Sequence, residues 1–433
     1  MTYKKTWLAA CLAVGMMAAL TGCGTTGSAS MEKADKAPSG PVQETMKPFS
    51  VRQLVAADNT TGRTIMWQLT TKKDSTLEFR KKDSDSIQSV KAEAKAYKGN
   101  NGVSDSYIYT AHVTGLEKGN VYEYRTRTGD SVSKWYPMKT DQGGAFKAIV
   151  TSDSQSSDYS DWAKLFQGAA ERNPDADFFI DLGDIVDNGQ DEYQWQAWFK
   201  TVTPTIENIP LVPAIGNHEA YSLDWKETMP ERYVALFDLP DNGDAALKNH
   251  YYSFDWGDVH FTVLDTSLQE EKEWVPDLFE KQKAWAAKDI RNSKKKWKVV
   301  LMHKDPLQYG FADAGRPHRE EGFSPEGEAF MPIFDETGVD LVLSAHLHTY
   351  RDRGHIYDFK RNPKGPVYVI LGLGGNVRYP GLWKDHALDT YVAPQPETDN
   401  YTVLEAKDDE LVLTGYLPDG TELHQTVVKK GNV

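Results

Sequence analysis

Leu341-Val342-Leu343-Ser344-Ala345-His346-Leu347-His348 sets three aliphatic residues directly before two histidines spaced by one. A short apolar run bounded by polar residues reads as a strand buried on both faces. The two imidazoles then stand at its carboxyl end. The same arrangement recurs upstream. Ala148-Ile149-Val150 runs into Thr151-Ser152-Asp153, and Phe178-Phe179-Ile180 into Asp181-Leu182-Gly183-Asp184. Val212-Pro213-Ala214-Ile215 runs into Gly216-Asn217-His218-Glu219, and Val299-Val300-Leu301-Met302 into His303. Helical stretches at 162–172, 192–199 and 278–292 separate the strands, which predicts an α/β layout. In open α/β sheets, ligands bind outside the carboxyl ends of strands. Taken singly, each residue has a plain reading: a lone Asp after a strand is a turn former, and a lone buried His is a hydrogen-bonded structural residue. Five ends delivering Asp, Asp, Asn-His, His and His-x-His to one edge predict a site for two metal ions.

Ahead of this region, residues 48–141 read as all-β. Short runs at 64–69, 77–80, 107–113 and 121–126 are separated by the turn residues Thr61-Gly62, Gly99-Asn100-Asn101-Gly102, Lys118-Gly119-Asn120 and Thr128-Gly129-Asp130. That spacing predicts a β-sandwich of about seven strands. The second domain is placed at 145–433.

The N-terminus reads as an export signal over residues 1–22. Lys4 and Lys5 precede an apolar run at 7–20, too short to span a bilayer comfortably. It ends in Leu20-Thr21-Gly22-Cys23, which resembles the bacterial lipobox, in which the cysteine is acylated and becomes the first mature residue. The expectation is an exported protein of the bacterial cell envelope, lipid-anchored to a membrane through Cys23, with 23–47 as a flexible tether rich in Gly, Ser, Thr and Ala. The chain has two cysteines, and Cys11 leaves with the signal. A metal site built on thiolates and an intrachain disulfide are then excluded, which leaves oxygen and nitrogen ligands. The formal net charge of −14 argues against a general nucleic-acid binder, which needs a basic footprint. It does not argue against an anionic substrate, because bound cations dominate the local field.

Gly183-Asp184, Gly216-Asn217-His218-Glu219, Val300-Leu301-Met302-His303 and the run from Val339 to Tyr350 resemble the calcineurin-like metallophosphoesterase superfamily, and within it the purple acid phosphatases. Tyr251-Tyr252-Ser253-Phe254-Asp255-Trp256-Gly257 and Leu264-Asp265-Thr266 match segments of that family that carry no ligand. His112-Val113-Thr114-Gly115-Leu116 through Tyr122-Glu123-Tyr124-Arg125 resembles fibronectin type III domains. The resemblance implies a metallophosphatase β-sandwich flanked by helices in four layers, preceded by the fibronectin type III-like sandwich. It implies two metal ions from among Fe, Zn and Mn. The first would take Asp153, Asp184 and His348, and the second Asp184, Asn217, His303 and His346. His218, with His318 as a second candidate, would be the substrate-side histidine, and Glu219 would orient a neighbouring group. The implied activity is hydrolysis of a phosphorylated small molecule, a phosphomonoester, by a metal-activated hydroxide. A phosphodiesterase or nucleotide hydrolase on the same site is the alternative, and an inactive surface binding protein a third reading.

Three departures stand out. The superfamily's His two residues after the first Asp is Gln155 here. The purple acid phosphatase Tyr three residues after the bridging Asp is Asp187, and the usual Gly before His-x-His is Ala345. The fourth ligand of the first metal is therefore open between Gln155 and Asp187. Elsewhere, 294–298 is expected to be a solvated helix-to-strand turn. His112, His250, His260 and His424 are expected to be structural residues in β-like stretches. Leu371-Gly372-Leu373-Gly374-Gly375 lacks a phosphate-loop signature and predicts a tight strand-end turn near the site. Arg378 and Tyr379 would line the pocket.

Overall fold

The computed structural model describes residues 47–308, 321–378, 385–394 and 399–430. Cys23, the leader, most of the tether, His318 and Tyr379 lie outside the described residues. Among the described residues, no helix is long and apolar enough to cross a membrane.

The strand-end pattern folds as the alternation dictates. Phe146–Thr151, Phe178–Asp181 and Pro210–Pro213 pair in parallel, with Thr151 opposite Asp181 and Asp181 opposite Pro213. Their carboxyl ends therefore share one edge. A second sheet carries Val259–Leu264, Trp297–Met302, Leu341–Ser344 and Val367–Ile370 in parallel, flanked by the antiparallel Tyr252–Trp256 and Arg351–Tyr357. One apolar cluster takes Ile149, Val150, Phe178 and Ile180 from the first sheet and Val299, Leu301, Leu341, Leu343, Val367 and Val369 from the second. The residues between these, Val300, Met302, Val342, Tyr368 and Ile370, join a different cluster with the helices Leu278–Asn292 and Pro325–Thr337. A strand buried on both faces has no polar side to display, which is why these runs are apolar throughout. Ser160–Arg172 and Glu192–Ile206 cover the first sheet. Ser160–Arg172 buries Trp162, Leu165, Phe166 and Ala169, one face of a 3.6-residue period. The layers run helix, sheet, sheet, helix, as expected.

Phe178 lies between the two sheets, fully buried, with Phe146, Trp256 and Phe261 at ring-centroid distances of 5.1, 4.9 and 5.8 Å. Truncation leaves a cavity that neighbours drawn from both sheets cannot close. Phe178→Ala is expected to destabilise the fold by about 3–5 kcal/mol, read from a denaturant midpoint at unchanged slope.

The N-terminal region departs from a self-contained sandwich. It has nine strands between Phe49 and Lys139, and four of them, Phe49–Leu54, Arg63–Leu69, Ser106–Val113 and Glu93–Tyr97, extend the first sheet of the second domain to ten strands. The join is Phe49–Leu54, which pairs in parallel with Pro210–Pro213, Leu54 opposite Leu211. An uncovered edge strand is open to non-native pairing, and this pairing closes it. Side chains fasten the seam. The buried Arg52 guanidinium donates to Leu236 O at 2.7 and 2.9 Å, and the Tyr124 hydroxyl to Glu207 O at 2.8 Å. The other five strands form the facing sheet, and Trp67, Leu77, Phe79, Tyr109, Tyr122 and Tyr124 fill the space between.

Two smaller expectations are corrected. The helix read at 192–199 continues to Ile206, because Val202 and Ile206 extend the buried face begun by Trp195, Trp198 and Phe199. His250 stands in a turn before Tyr252–Trp256 rather than in a strand. Its ring is held there by carboxylates, Asp265 at 2.9 Å and Glu271 at 3.3 Å, all three buried.

Candidate metal centre

The backbone turns sharply where each strand hands over its donor. Asp153, Asp184, His346 and His348 all have positive φ, at 49°, 51°, 73° and 51°. Left-handed backbone is uncommon for side chains of this kind and persists only where surrounding structure holds it. Four such residues at the strand ends of the two sheets mark a place where the direction of the side chain outweighs backbone comfort.

These turns bring the expected donors together. Asp184, His303 and His346 offer ligand atoms within 4.8 Å of one another, and so do Asp153, Asp184 and His348. Asp184 belongs to both groups. His303 Nε2 lies 3.1 Å from Asp184 Oδ2, and His348 Nε2 lies 3.5 Å from Asp153 Oδ1. His303 Nδ1 meets Leu182 O at 2.9 Å, and His348 Nδ1 meets Val377 O at 2.9 Å. A carbonyl partner accepts from Nδ1 and turns Nε2 towards the carboxylates.

A test of fit comes from what is left unpaired. Among the described residues, Asn217 Oδ1, His346 Nδ1 and both amide atoms of Gln155 are buried with no hydrogen-bond partner. Burying such atoms unpaired costs about 1–3 kcal/mol each. Imidazole, amide and carboxylate donors gathered at one place suit Zn, Fe or Mn, so the residues present fit the implied cations. Electrostatics agrees. Burial works to raise the Asp184 carboxyl, but His303, His218 and His346 hold it well below the usual range. Burial pulls His303 down and Asp184 outweighs it, so His303 is pushed up to about 9. Burial and then the charges of His303 and Lys304 hold His346 far down, as a neutral imidazole.

Glu219 is fully buried and accepts four backbone N–H groups. Gly216 at 2.7 Å and Asp184 at 2.9 Å reach one oxygen, and Ile185 at 2.9 Å and Val186 at 3.3 Å the other. Burial and the Asp184 carboxylate push its pKa well up, while the N–H groups of Gly216 and Val186 pull against that. The side chain thereby staples the Asp184 loop to the Gly216 loop. The glycines of the two motifs have the same cause. A Cβ on Gly216 would fall 2.2 Å from both Asp184 N and Asp184 Oδ1, and one on Gly183 2.5 Å from Gly216 N.

His218 stands beside the cluster without entering it. Its Nδ1 meets Asp187 O at 2.6 Å, and its Nε2 lies 4.0 Å from Asp184 Oδ2. The Asp187 carboxylate is 3.7 Å from His218 Nδ1, with its side chain 32% exposed, whereas Gln155 is fully buried. The 371–375 segment is a strand-end turn beside the site, and its amides are already used: Gly374 N donates to Ser152 O and Gly375 N to Asp153 O. Arg378 donates to Gly375 O and to the Asp399 carboxylate. Trp297 is buried in its strand, and the lysines before it form the expected helix-to-strand turn. Tyr159 also stands near the site. Its phenol is buried, burial raises its pKa far above the usual value, and Asp187 is among the groups acting on it.

The comparisons follow the same lines. The calcineurin-like phosphoesterase family matches residues 146–350, and the purple acid phosphatase N-terminal domain matches residues 48–140. "Purple acid phosphatase 15" of Arabidopsis thaliana is 29% identical over 208 residues, 47% of this chain and 36% of that protein. "Acid phosphatase type 7" of Mus musculus is 24% identical over 295 residues, 62% of this chain and 64% of that protein. The matches thus span well under two thirds of the first of these relatives. Among solved structures, the purple acid phosphatase PPD1 from yellow lupin (Lupinus luteus) seeds superposes with a TM-score of 0.71 at 17% identity, over 89% of this chain and 75% of that one. The structure of PhoD gives 0.62 at 14% identity, over 89% and 93%. At those identities the likeness is one of fold. The chain therefore carries a calcineurin-like phosphoesterase domain at residues 146–350, with a purple acid phosphatase N-terminal domain before it at residues 48–140.

Proposed function

We propose that the protein is a two-metal phosphomonoesterase. The observation that carries this reading is Asp184, a buried carboxylate shared by two groups of ligand atoms among unpaired amide and imidazole donors. Asp153, Asp184 and His348 would hold one cation, and Asp184, Asn217, His303 and His346 the other. Gln155 is the better fourth ligand of the first cation, because its amide is fully buried and unpaired while Asp187 is part-exposed beside His218. When bound, Fe, Zn or Mn ions there supply Lewis acidity towards phosphoryl oxygens and acidify water. The chain's own residues do the rest. Glu219 fixes the two ligand loops against each other. Asp187 O accepts from His218 Nδ1 and aims Nε2 at the space beside Asp184, where the protonated ring holds a phosphoryl oxygen or passes its Nε2 proton to the leaving oxygen. Turnover of a chromogenic monoester, a diester and ATP by metal-loaded protein tests the reading. Preference for the monoester is expected, preference for the diester or ATP reassigns the substrate, and turnover of none favours a binding protein.

The resembled family owes its purple colour to a tyrosinate on ferric iron, at the position Asp187 occupies. The iron-loaded protein is therefore expected to lack a strong mid-visible band and to work with divalent ions. A strong band would show that a tyrosine reaches the first cation from elsewhere, Tyr159 or Tyr309, the latter outside the described residues.

The fibronectin type III-like reading of 48–141, export and the lipid anchor belong to this proposal, supported by the lipobox-like tetrad. Cys23→Ser is expected to move the protein from the membrane to the soluble fraction with its activity intact. An unchanged membrane fraction would refute the anchor.

A further inference from the structure

Next to His218 the chain makes a small, closed hairpin over residues 221–228. Tyr221 and Glu227 form an antiparallel bridge, Ser222 N donates to Lys226 O at 2.8 Å, and Trp225 N to Ser222 O at 2.8 Å. The Ser222 hydroxyl donates to Asp224 at 2.6 Å and accepts from Lys226 N at 3.0 Å. Asn188 Nδ2 donates to Ser222 O at 2.7 Å, which ties the hairpin to the loop that follows Asp184 and Asp187.

The tip residue is the unusual one. Trp225 has φ 59°, backbone that a bulky side chain seldom adopts and that asparagine or glycine takes more readily. Its side chain is 51% exposed, so core packing does not account for it. It stands edge-on to His218, with ring centroids 6.0 Å apart and planes at 85°. Tyr221 meets the same imidazole at 5.7 Å and 88°, and Tyr221 and Trp225 are 6.2 Å apart. Three rings thus form a wall. It begins at the imidazole 4.0 Å from Asp184 and ends in an open indole face. Lys226 is engaged by Asp224, so the hairpin offers a π-face rather than a free cation. Strained backbone held beside a reacting centre points to a use there.

We infer that Trp225 is the platform on which the leaving group of the ester stacks, selecting phosphomonoesters whose leaving group carries a planar ring, aryl or nucleoside. The inference rests on the phosphatase reading above. A phosphoryl group beside Asp184 and His218 directs its leaving group outward along the wall, and the next surface it meets is the indole. Stacking needs a flat ring and no particular hydrogen-bond pattern, so different rings share it.

The experiment compares kcat and KM of the metal-loaded full chain for p-nitrophenyl phosphate, AMP and glycerol 2-phosphate. Trp225→Ala is expected to raise KM for the two ring esters by roughly ten- to a hundredfold, with kcat little changed and glycerol 2-phosphate unaffected. Trp225→Phe should restore most of the loss. Trp225→Asn, suited to the left-handed backbone, should reproduce the alanine result in a chain whose hairpin is relieved of strain. A loss confined to AMP supports the platform and assigns it to nucleosides, and one confined to p-nitrophenyl phosphate assigns it to simple aryl groups. An equal loss on all three esters, or none on any, overturns the platform while the phosphatase reading stands. A wild-type protein that turns over none of the three overturns both.

Discussion

Asp184→Asn is expected to leave one metal ion per chain or none, and to lower turnover by on the order of a thousandfold, the effect of losing several kcal/mol of cationic stabilisation. The argument is electrostatic. Asp184 is the one carboxylate common to both groups of ligand atoms, and histidines led by His303 hold it ionised against its burial. Asparagine keeps the shape and can still accept the His218 N–H that reaches Oδ1 at 2.8 Å. It removes the charge that two cations would share, and its amide nitrogen is a donor where a ligand is required. Metal analysis beside a turnover assay checks this. Two metal ions per chain with near-normal turnover would sink the two-metal assignment.

His218→Ala separates chemistry from assembly. The imidazole lies outside both groups of ligand atoms, and the bond from its backbone N–H to Asp184 Oδ1 survives truncation. So does the bond from Gly189 N to His218 O. Both metal ions should stay, while kcat falls by roughly 10²–10⁴-fold, the range for a positioned acid–base group. Loss of metal in this variant would show that the ring supports the site rather than the reaction.

The ligand-bearing edge was legible because each strand end is local: an apolar run, a turn and a donor are adjacent in sequence, and parallel pairing aligns the ends. The pairing of Phe49–Leu54 with Pro210–Pro213 was not legible, because nothing in either segment marks a partner so distant in the chain. The C-terminal strands Tyr401–Ala406, Glu410–Tyr416 and Glu422–Lys429 escaped notice for a related reason. They complete the first sheet through antiparallel pairing with Phe146–Thr151 and carry no site residue to draw attention. The left-handed backbone of Asp153, Asp184, His346 and His348 was also hidden, since propensity disfavours it and only the assembled edge imposes it. Trp225 read as one tryptophan among twelve. Its place beside His218 depends on a hairpin whose bonds are mostly to its own backbone. Asp187 could be seen as a departure from the family pattern, but its carbonyl's hold on the His218 ring could not.

The ten-stranded sheet has a consequence for anyone who would graft this site onto another scaffold. Its N-terminal third is not an accessory that can be clipped away. Cutting the chain near residue 142 would strip Pro210–Pro213 of its neighbour and leave the Leu236 and Glu207 carbonyls without their donors. The bared edge belongs to the strand that leads into Asn217 and His218. A transplanted unit therefore keeps Phe49–Leu54 beside Pro210–Pro213 and runs from that first strand through the last, Glu422–Lys429.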